Sequence, residues 1–303
     1  MIVTVTPNPS VDRTYRLAAL VTGQLNRAQT VTAEASGKGV NVSRVLALLG
    51  YPTRMVLTAG GPEGRLLASL LAAVPPVDLV EVTGHTRVNI TIVAGGEPTK
   101  VNEPGTALCP AEADELVDAT EKAIAGAAWL AVCGSLPVGT EPGLVARLVA
   151  VGHAAGVPVA VDSSGPALAA AVAARADLVK PNADELAELV DLVEKPLEAA
   201  AEVQRRSGGT VLASLGAGGA LLVTPDAAWH ATPPPITPVN TTGAGDALLA
   251  GYLAAWEVGP VARLAYAVAV GTAACLVEAT AGVDTDHIDP PAVTVRPVHP
   301  SGG

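Results

Sequence analysis

The chain has 303 residues, half of them hydrophobic and 16% charged, which gives material for a large core and rules out extensive disorder. Phe is absent and aromatic residues make up 2%, so the core is expected to be aliphatic and stacking of successive bases on aromatic platforms is disfavoured. The net charge of −11 argues against a broad nucleic-acid surface, yet residues 1–100 hold nine Lys/Arg against six Asp/Glu while the remainder holds nine against 23.

The alternating start predicts a strand over Ile2–Thr6 and not a signal peptide. Polar-alternating strands follow at Asp12–Leu17 and Arg27–Thr32, then a helix over Val40–Leu49, a strand at Arg54–Thr58 and a helix over Gly64–Ala72. A second polar-alternating pair, Val88–Val93 and Thr99–Asn102, precedes a helix over Ala111–Ala125. The pattern then runs strand Trp129–Cys133, helix Pro142–Ala155, strand Val157–Val161, strand Leu178–Lys180, helix Ala183–Val190, helix Leu197–Arg206 and strand Val211–Ser214. Pro142 suits a first helical position, where a missing N–H costs nothing.

This alternation means an α/β fold: a three-layer arrangement with a mostly parallel central sheet and helices on both faces. The inserts at about 12–33 and 87–103 are expected to form a separate small β-sheet that could cover a cleft, within one domain spanning 1–303. The longest apolar candidates, such as Val261–Val277, are interrupted by Arg263, Tyr266 and Gly271 and do not reach membrane-spanning character. Cys109, Cys133 and Cys275 are widely spaced without a CxxC, which points to reduced thiols, no zinc site and a cytoplasmic protein. Pro233–Pro235 and the tail from Pro290 to Gly303 read as turns or ends, the last few residues expected to be mobile.

The strongest chemical signal is Asn240-Thr241-Thr242-Gly243-Ala244-Gly245-Asp246, a small-residue turn running into an Ala-rich helix. Such a turn leaves backbone N–H groups uncovered at a helix N-terminus, an anion site. Asp246 there is either a dipole-stabilising carboxylate or one that receives a proton from an attacking hydroxyl. Ser36-Gly37-Lys38-Gly39-Val40-Asn41 also opens a helix, but it is neither a P-loop nor a dinucleotide fingerprint. On residues alone, Arg27 and Arg87 also read as solvated strand residues, and Asn182 with Glu185 as a helix cap. Asp162, at a strand end, reads as a turn former and is left outside the site.

Residues 36–50 and 240–254 resemble the two signatures of the ribokinase-like (PfkB) family of sugar kinases, and the likeness spans nearly the whole chain. Gly134-Ser135-Leu136-Pro137, Asp162-Ser163-Ser164-Gly165, Lys180-Pro181-Asn182-Ala183-Asp184-Glu185 and Ser214-Leu215-Gly216 follow in the family order. Thr6-Pro7-Asn8-Pro9-Ser10-Val11-Asp12, Leu25-Asn26-Arg27, Thr86-Arg87-Val88-Asn89 and Asn102-Glu103-Pro104-Gly105 resemble the 1-phosphofructokinase and tagatose-6-phosphate kinase branch.

The resemblance implies ATP- and Mg²⁺-dependent phosphorylation of a sugar phosphate, with fructose 1-phosphate favoured. Tagatose 6-phosphate and fructose 6-phosphate are the rival acceptors, and a catalytically silent sugar-phosphate sensor is a different class. By resemblance, Asp246 is the general base, and the N–H groups of Gly243, Ala244 and Gly245 form the anion hole. Asp12, Asn41, Gly37, Gly39 and Ser135 line the sugar site, and Arg27, Lys38 and Arg87 hold the substrate phosphate. Asn182 and Glu185 act through water on Mg²⁺, and Ser214 and Gly216 lie near the nucleotide. The small sheet would be a lid and the surface of a homodimer; no nucleic-acid or membrane partner is implied. Two positions depart from the family pattern: Asn240 stands where Asp is usual, and Ser36 where Gly is frequent.

Overall fold

Ile2–Thr6, buried at every position, is the strand from which the large sheet extends in both directions. The computed structural model describes residues 1–72, 75–190 and 195–300. In chain order its elements are β1 (Ile2–Thr6), β2 (Ser10–Leu17), β3 (Thr30–Ser36), α1 (Lys38–Leu48), β4 (Thr53–Ala59), α2 (Gly61–Leu71), β5 (Val77–Glu81), β6 (Arg87–Ala94), β7 (Glu97–Asn102), α3 (Pro110–Ala123), β8 (Trp129–Cys133), α4 (Gly143–Ala154), β9 (Val159–Asp162), α5 (Gly165–Ala173), β10 (Leu178–Val179), α6 (Ala183–Val190), α7 (Pro196–Ser207), β11 (Thr210–Ser214), β12 (Ala220–Val223), β13 (Ala228–Thr232), α8 (Ala244–Ala254), α9 (Pro260–Ala274) and β14 (Thr294–Val298).

The ten-stranded sheet has the order β14-β13-β12-β11-β10-β9-β8-β1-β4-β5. From β11 to β5 the neighbours are parallel; β12, β13 and β14 are added antiparallel. One face carries Val3, Val5, Leu130, Val132 and Val161 against the apolar sides of α3, α4, α5 and α7. The other carries Ile2, Ala131, Ala160 and Leu212 against α1, α8 and α9. The three-layer expectation therefore holds, and the core is aliphatic.

From β1 the chain goes to β4 and β5 on one side and later to β8, β9 and β10 on the other. The carboxyl ends of β1 and β8 thus flank a topological switch point, the crevice where open α/β sheets bind ligands. The small sheet, β3-β2-β6-β7, comes from the two inserts.

Several expectations are corrected. The strand placed at Arg27–Thr32 is β3, and register with β2 (Arg16 opposite Thr30, Ser10 opposite Ser36) leaves Arg27 in the connection before it. The tail is not merely turns, because β14 closes the sheet edge, where Pro297 costs no central ladder bond. The mobility expected for the last residues falls on 301–303, outside the described residues. Pro142 is the N-cap of α4 and not its first helical residue. Strands β5, β12 and β13 and helices α5 and α9 had no assignment; β5 mixes acidic residues with apolar ones, and α5 is mostly Ala. Among the described residues no helix is long and apolar enough to cross a membrane.

Helix α8 packs along α9 at Gly251, where an added Cβ would stand 2.9 Å from Val270 Cβ and 3.0 Å from Ala267 Cα. Arg263 Nε donates to Tyr252 O at 2.7 Å, and its guanidinium lies 3.8 Å from the Tyr252 ring centroid and 5.2 Å from that of Trp129. Gly251→Val is expected to destabilise the protein by about 1–3 kcal/mol through overpacking. The measurement is the urea midpoint at unchanged slope; an unshifted midpoint would show that the two helices separate freely.

Candidate active site

Gly243 is the N-cap of α8 with φ 86°, a left-handed conformation that strains any residue with a Cβ. Asp246 follows in the first turn, 7% exposed, at the carboxyl side of the sheet. Packing of α1 on α8 brings Asn41 to it: Asn41 Nδ2 donates to Asp246 Oδ2 at 2.8 Å. Burial raises the Asp246 pKa, and the nearby charge of Asp162 raises it further. Asn41, Lys180 and Lys38 only partly offset this, leaving it at about 6. Among the turn's N–H groups, that of Ala244 donates to Thr241 O at 3.3 Å. Of the three N–H groups expected to form an anion hole, that of Ala244 is thus engaged within the turn.

Asp162, left outside the site on sequence grounds, stands at its middle. It is wholly buried at the carboxyl end of β9, with Lys38 Nζ 2.7 Å from Oδ1 and Lys180 Nζ 3.0 Å from Oδ2. Two lysines on one buried carboxylate offset its desolvation. Burial opposes the charge of Lys38, but Asp162 outweighs it and holds the ammonium well above its ordinary pKa. Lys38 Nζ also lies 3.8 Å from Glu185 Oε1. A Cβ at Gly245 would stand 3.5 Å from Lys180 Nζ, so Lys180 reaches the turn at the start of α8. The available signal was positional: charged residues at the carboxyl ends of parallel strands face the crevice.

On the other side of the crevice, Asn8 is a hub that sequence reasoning did not assign. Its Nδ2 donates to Pro104 O at 3.1 Å and reaches Ser135 Oγ at 3.4 Å, while its carbonyl accepts from Arg87 Nε at 3.2 Å. Arg87 Nη1 donates to Glu103 O at 3.2 Å. Burial lowers the Arg87 pKa, countered by Asp12 and Glu103. Asp12 Oδ1 accepts from Ser10 Oγ at 2.7 Å and Asn89 Nδ2 at 2.9 Å. Arg27 stands exposed on the 18–29 connection, and among the described residues no hydrogen bond or ion pair links it to the other candidates.

Gly37 is the buried N-cap of α1. Gly39 packs so closely on β1 that an added Cβ would stand 2.3 Å from Thr6 Oγ1. Thr6 Oγ1, Asn41 Oδ1 and Asn89 Oδ1 are buried without a hydrogen-bond partner. Unspent polar atoms of this kind suit a ligand rich in hydroxyls.

Asn182 and Glu185 form a reciprocal cap, each backbone N–H donating to the other's side-chain oxygen at 2.8 Å. The cap reading is therefore correct, and it still leaves Glu185 Oε1 facing Lys38. Asn182 pairs with Ser214, the last residue of β11, and Gly216 lies exposed just after it. Asn240 Oδ1 accepts from Thr242 N–H at 2.9 Å and its Nδ2 donates to Glu278 O at 2.9 Å. An Asp could make the first bond but not the second, which gives Asn240 a structural reason.

The model of the pfkB family of carbohydrate kinases matches residues 5–287. A 1-phosphofructokinase of Rhodobacter capsulatus is 38% identical over 249 residues, covering 80% of this chain and 78% of the relative. Phosphofructokinase-2 from Escherichia coli in complex with fructose-6-phosphate superposes with a TM-score of 0.84 at 33% identity, over 91% of this chain and 93% of that one. A possible 1-phosphofructokinase from Thermotoga maritima has a TM-score of 0.87 at 23% identity, over 99% and 100% of the two chains, a likeness of fold.

Replacing Asp162 by the isosteric Asn removes a negative charge that repels Asp246 and releases both lysines toward it. Asp162→Asn is expected to move the Asp246 titration below about 6, read by carboxyl carbon NMR across a pH series. A midpoint that stays put would mean that burial alone sets it.

Proposed function

The chain belongs to the pfkB family of carbohydrate kinases, and from that footing we propose that it transfers the terminal phosphoryl group of ATP to fructose 1-phosphate, giving fructose 1,6-bisphosphate and ADP. The observation that carries the reading is the buried Asp246 at the start of α8, oriented by Asn41 and flanked by Lys38 and Lys180. The 38% identity to a 1-phosphofructokinase and the Asn102-Glu103-Pro104-Gly105 turn packed on Asn8 favour the 1-phosphate acceptor. A rival acceptor, fructose 6-phosphate, is favoured by the likeness to an enzyme solved with that sugar. Comparison of kcat/KM on both sugars, with ADP release as the readout, decides between them; release with neither would leave a sensor.

In this reading the sugar's 6-hydroxyl oxygen attacks the γ-phosphorus, its proton passes to Asp246, and the bond from that phosphorus to the bridging oxygen breaks. With a pKa of about 6, Asp246 is about tenfold more ionised than protonated at neutral pH, yet a stronger base than an ordinary Asp. The N–H groups of Gly243 and Gly245 hold the equatorial oxygens. Lys180 and Lys38, fixed by Asp162, meet the developing charge. Such positioning and charge stabilisation is most of what phosphoryl transfer requires.

Glu185, whose Oε1 faces the site, with Asn182 beside it, would act through water on a hydrated Mg²⁺, while both oxygens of Asp162 are taken by lysines. When bound, that ion neutralises nucleotide phosphate charge. Ser214 and Gly216 border the nucleotide. Arg87 holds the sugar's phosphate, with Arg27 reaching it from its connection, and Asp12, Asn41 Oδ1, Gly37, Gly39 and Ser135 line the sugar.

We further propose that residues 1–303 act as one unit in the cytoplasm, where the free Cys109, Cys133 and Cys275 stay reduced, and that the small sheet is a lid. Its strand β7 is exposed throughout, and most of β3 is exposed, which supports a homodimer through that sheet. A relative described as tetrameric in its inhibited form shows that assembly occurs in the family. Light scattering is expected to return twice the chain mass, and a monomer mass overturns this.

Asp246→Asn is expected to lower kcat by at least about 10², the scale of general-base contributions. Near-normal turnover would reject the base assignment. Because the pKa of Asp246 is raised, the base is ionised above about 6 and neutralised below it, so kcat/KM should fall about tenfold per pH unit under that point. A profile flat to pH 5 would place the titrating group elsewhere.

A further inference from the structure

Lys100 had no role in the sequence reading. It lies in the middle of β7, opposite Thr91 of β6, on the edge strand of the small sheet. Its side chain leaves that sheet and crosses to the main body, where Nζ donates to Thr242 Oγ1 at 3.0 Å. Thr242 immediately precedes Gly243, the N-cap whose N–H opens the anion hole. An ammonium from the lid therefore stands one hydroxyl from the place where the transferring phosphoryl group would dock. The hydroxyl it holds is replaceable: Thr242 is exposed, and a phosphoryl oxygen is a far stronger acceptor for a cation than a neutral hydroxyl.

A second bridge spans the same gap. Arg16 Nη2 of β2 lies 3.8 Å from Glu278 Oε2, both side chains exposed. This ion pair is remote in sequence from the anion hole and makes an internal control, because it joins lid to body without placing a charge beside the turn. Within the floor of the site, Lys38 and Lys180 are already committed to Asp162. Lys100 is paired with no carboxylate among the described residues, so its charge is unspent.

Resting on the phosphotransferase reading above, we propose that Lys100 is a further catalytic residue: a lid-borne cation that moves from Thr242 onto the transferring phosphoryl group when the lid closes. It leaves no covalent trace; it neutralises charge on the equatorial oxygens while the sugar oxygen–phosphorus bond forms and the bridging bond breaks. A cation delivered by a closing element acts in the transition state and not on the ground-state sugar, so kcat carries the effect and KM does not.

The test is steady-state kinetics with fructose 1-phosphate and Mg²⁺-ATP on wild type, Lys100→Met, Lys100→Arg and Arg16→Gln, each checked for an unchanged thermal midpoint. Lys100→Met is expected to lose about 10² in kcat, the scale of one transition-state donor, with KM for the sugar within about twofold. Lys100→Arg keeps the charge and should recover about tenfold or more of that loss, and Arg16→Gln should stay within about twofold of wild type. Lys100→Met turning over within about threefold of wild type overturns the assignment. So does a loss confined to KM, which makes Lys100 a substrate clamp, or an equal loss in Arg16→Gln, which makes both contacts a mechanical latch. A wild type that phosphorylates no sugar phosphate overturns the proposed function and this inference together; an active wild type with an unimpaired Lys100→Met overturns this inference alone.

Discussion

Two buried carboxylates lie near one another at the carboxyl end of the sheet, and most of the site follows from how that is made tolerable. Asp162 is wholly buried and Asp246 nearly so, and the charge of Asp162 adds to the burial that raises the pKa of Asp246. The structure answers asymmetrically. Asp162 takes two ammonium groups, from Lys38 and Lys180, while Asp246 takes only the neutral amide of Asn41. The carboxylate without a cation in direct contact, Asp246, is the one whose pKa is raised and which is left poised to accept a proton. The same lysines that anchor Asp162 are held where a phosphate would need them, so one arrangement serves both stability and chemistry.

The backbone is arranged to bring these groups together. β9 delivers Asp162 at its carboxyl end, and Lys180 follows directly on β10. Lys38 opens α1, and Asp246 lies in the first turn of α8, the helix packed against α1. The closeness of Gly39 to Thr6 and of Gly251 to α9 fixes how deeply the two helices sit, because a Cβ at either place would meet neighbouring atoms at under 3 Å. Glycine here sets distance more than flexibility.

The central architecture was legible because buried parallel strands and amphipathic or Ala-rich helices carry strong periodicities, and the site's backbone was legible because its turns demand small residues. The parts that were not legible share a physical character. β14 and β5 are edge strands that mix exposed polar residues with apolar ones, so local pattern does not separate them from loops. The register of β3 is set by pairing with β2, an interaction between residues distant in sequence, and this moved Arg27 out of the strand. Asp162 was misread because a lone Asp at a strand end is most often a turn former; only the convergence of Lys38 and Lys180 from other elements shows otherwise. Asn8 is a comparable case, since its importance comes from partners about 80 to 130 positions away in the chain.

The excess of basic residues in the first hundred acquires a spatial meaning from this arrangement. Lys38 belongs to the floor of the site with Asp162 and Glu185, while Arg87 is held on the opposite side by the carbonyls of Asn8 and Glu103. Arg16 and Lys100 both cross from the small sheet to the body, at Glu278 and Thr242. Asn240 ties these two landing points together, since it accepts from the Thr242 N–H and donates to the Glu278 carbonyl. Of the two bridges, only that of Lys100 ends on the side chain next to Gly243, so a displacement of β7 bears most directly on the turn at the start of α8. A substrate phosphate on one side and a transferring phosphoryl group on the other would both favour the closed arrangement. Closure and charge neutralisation would then be one event, which keeps water from the phosphoryl group at the moment the cations surround it.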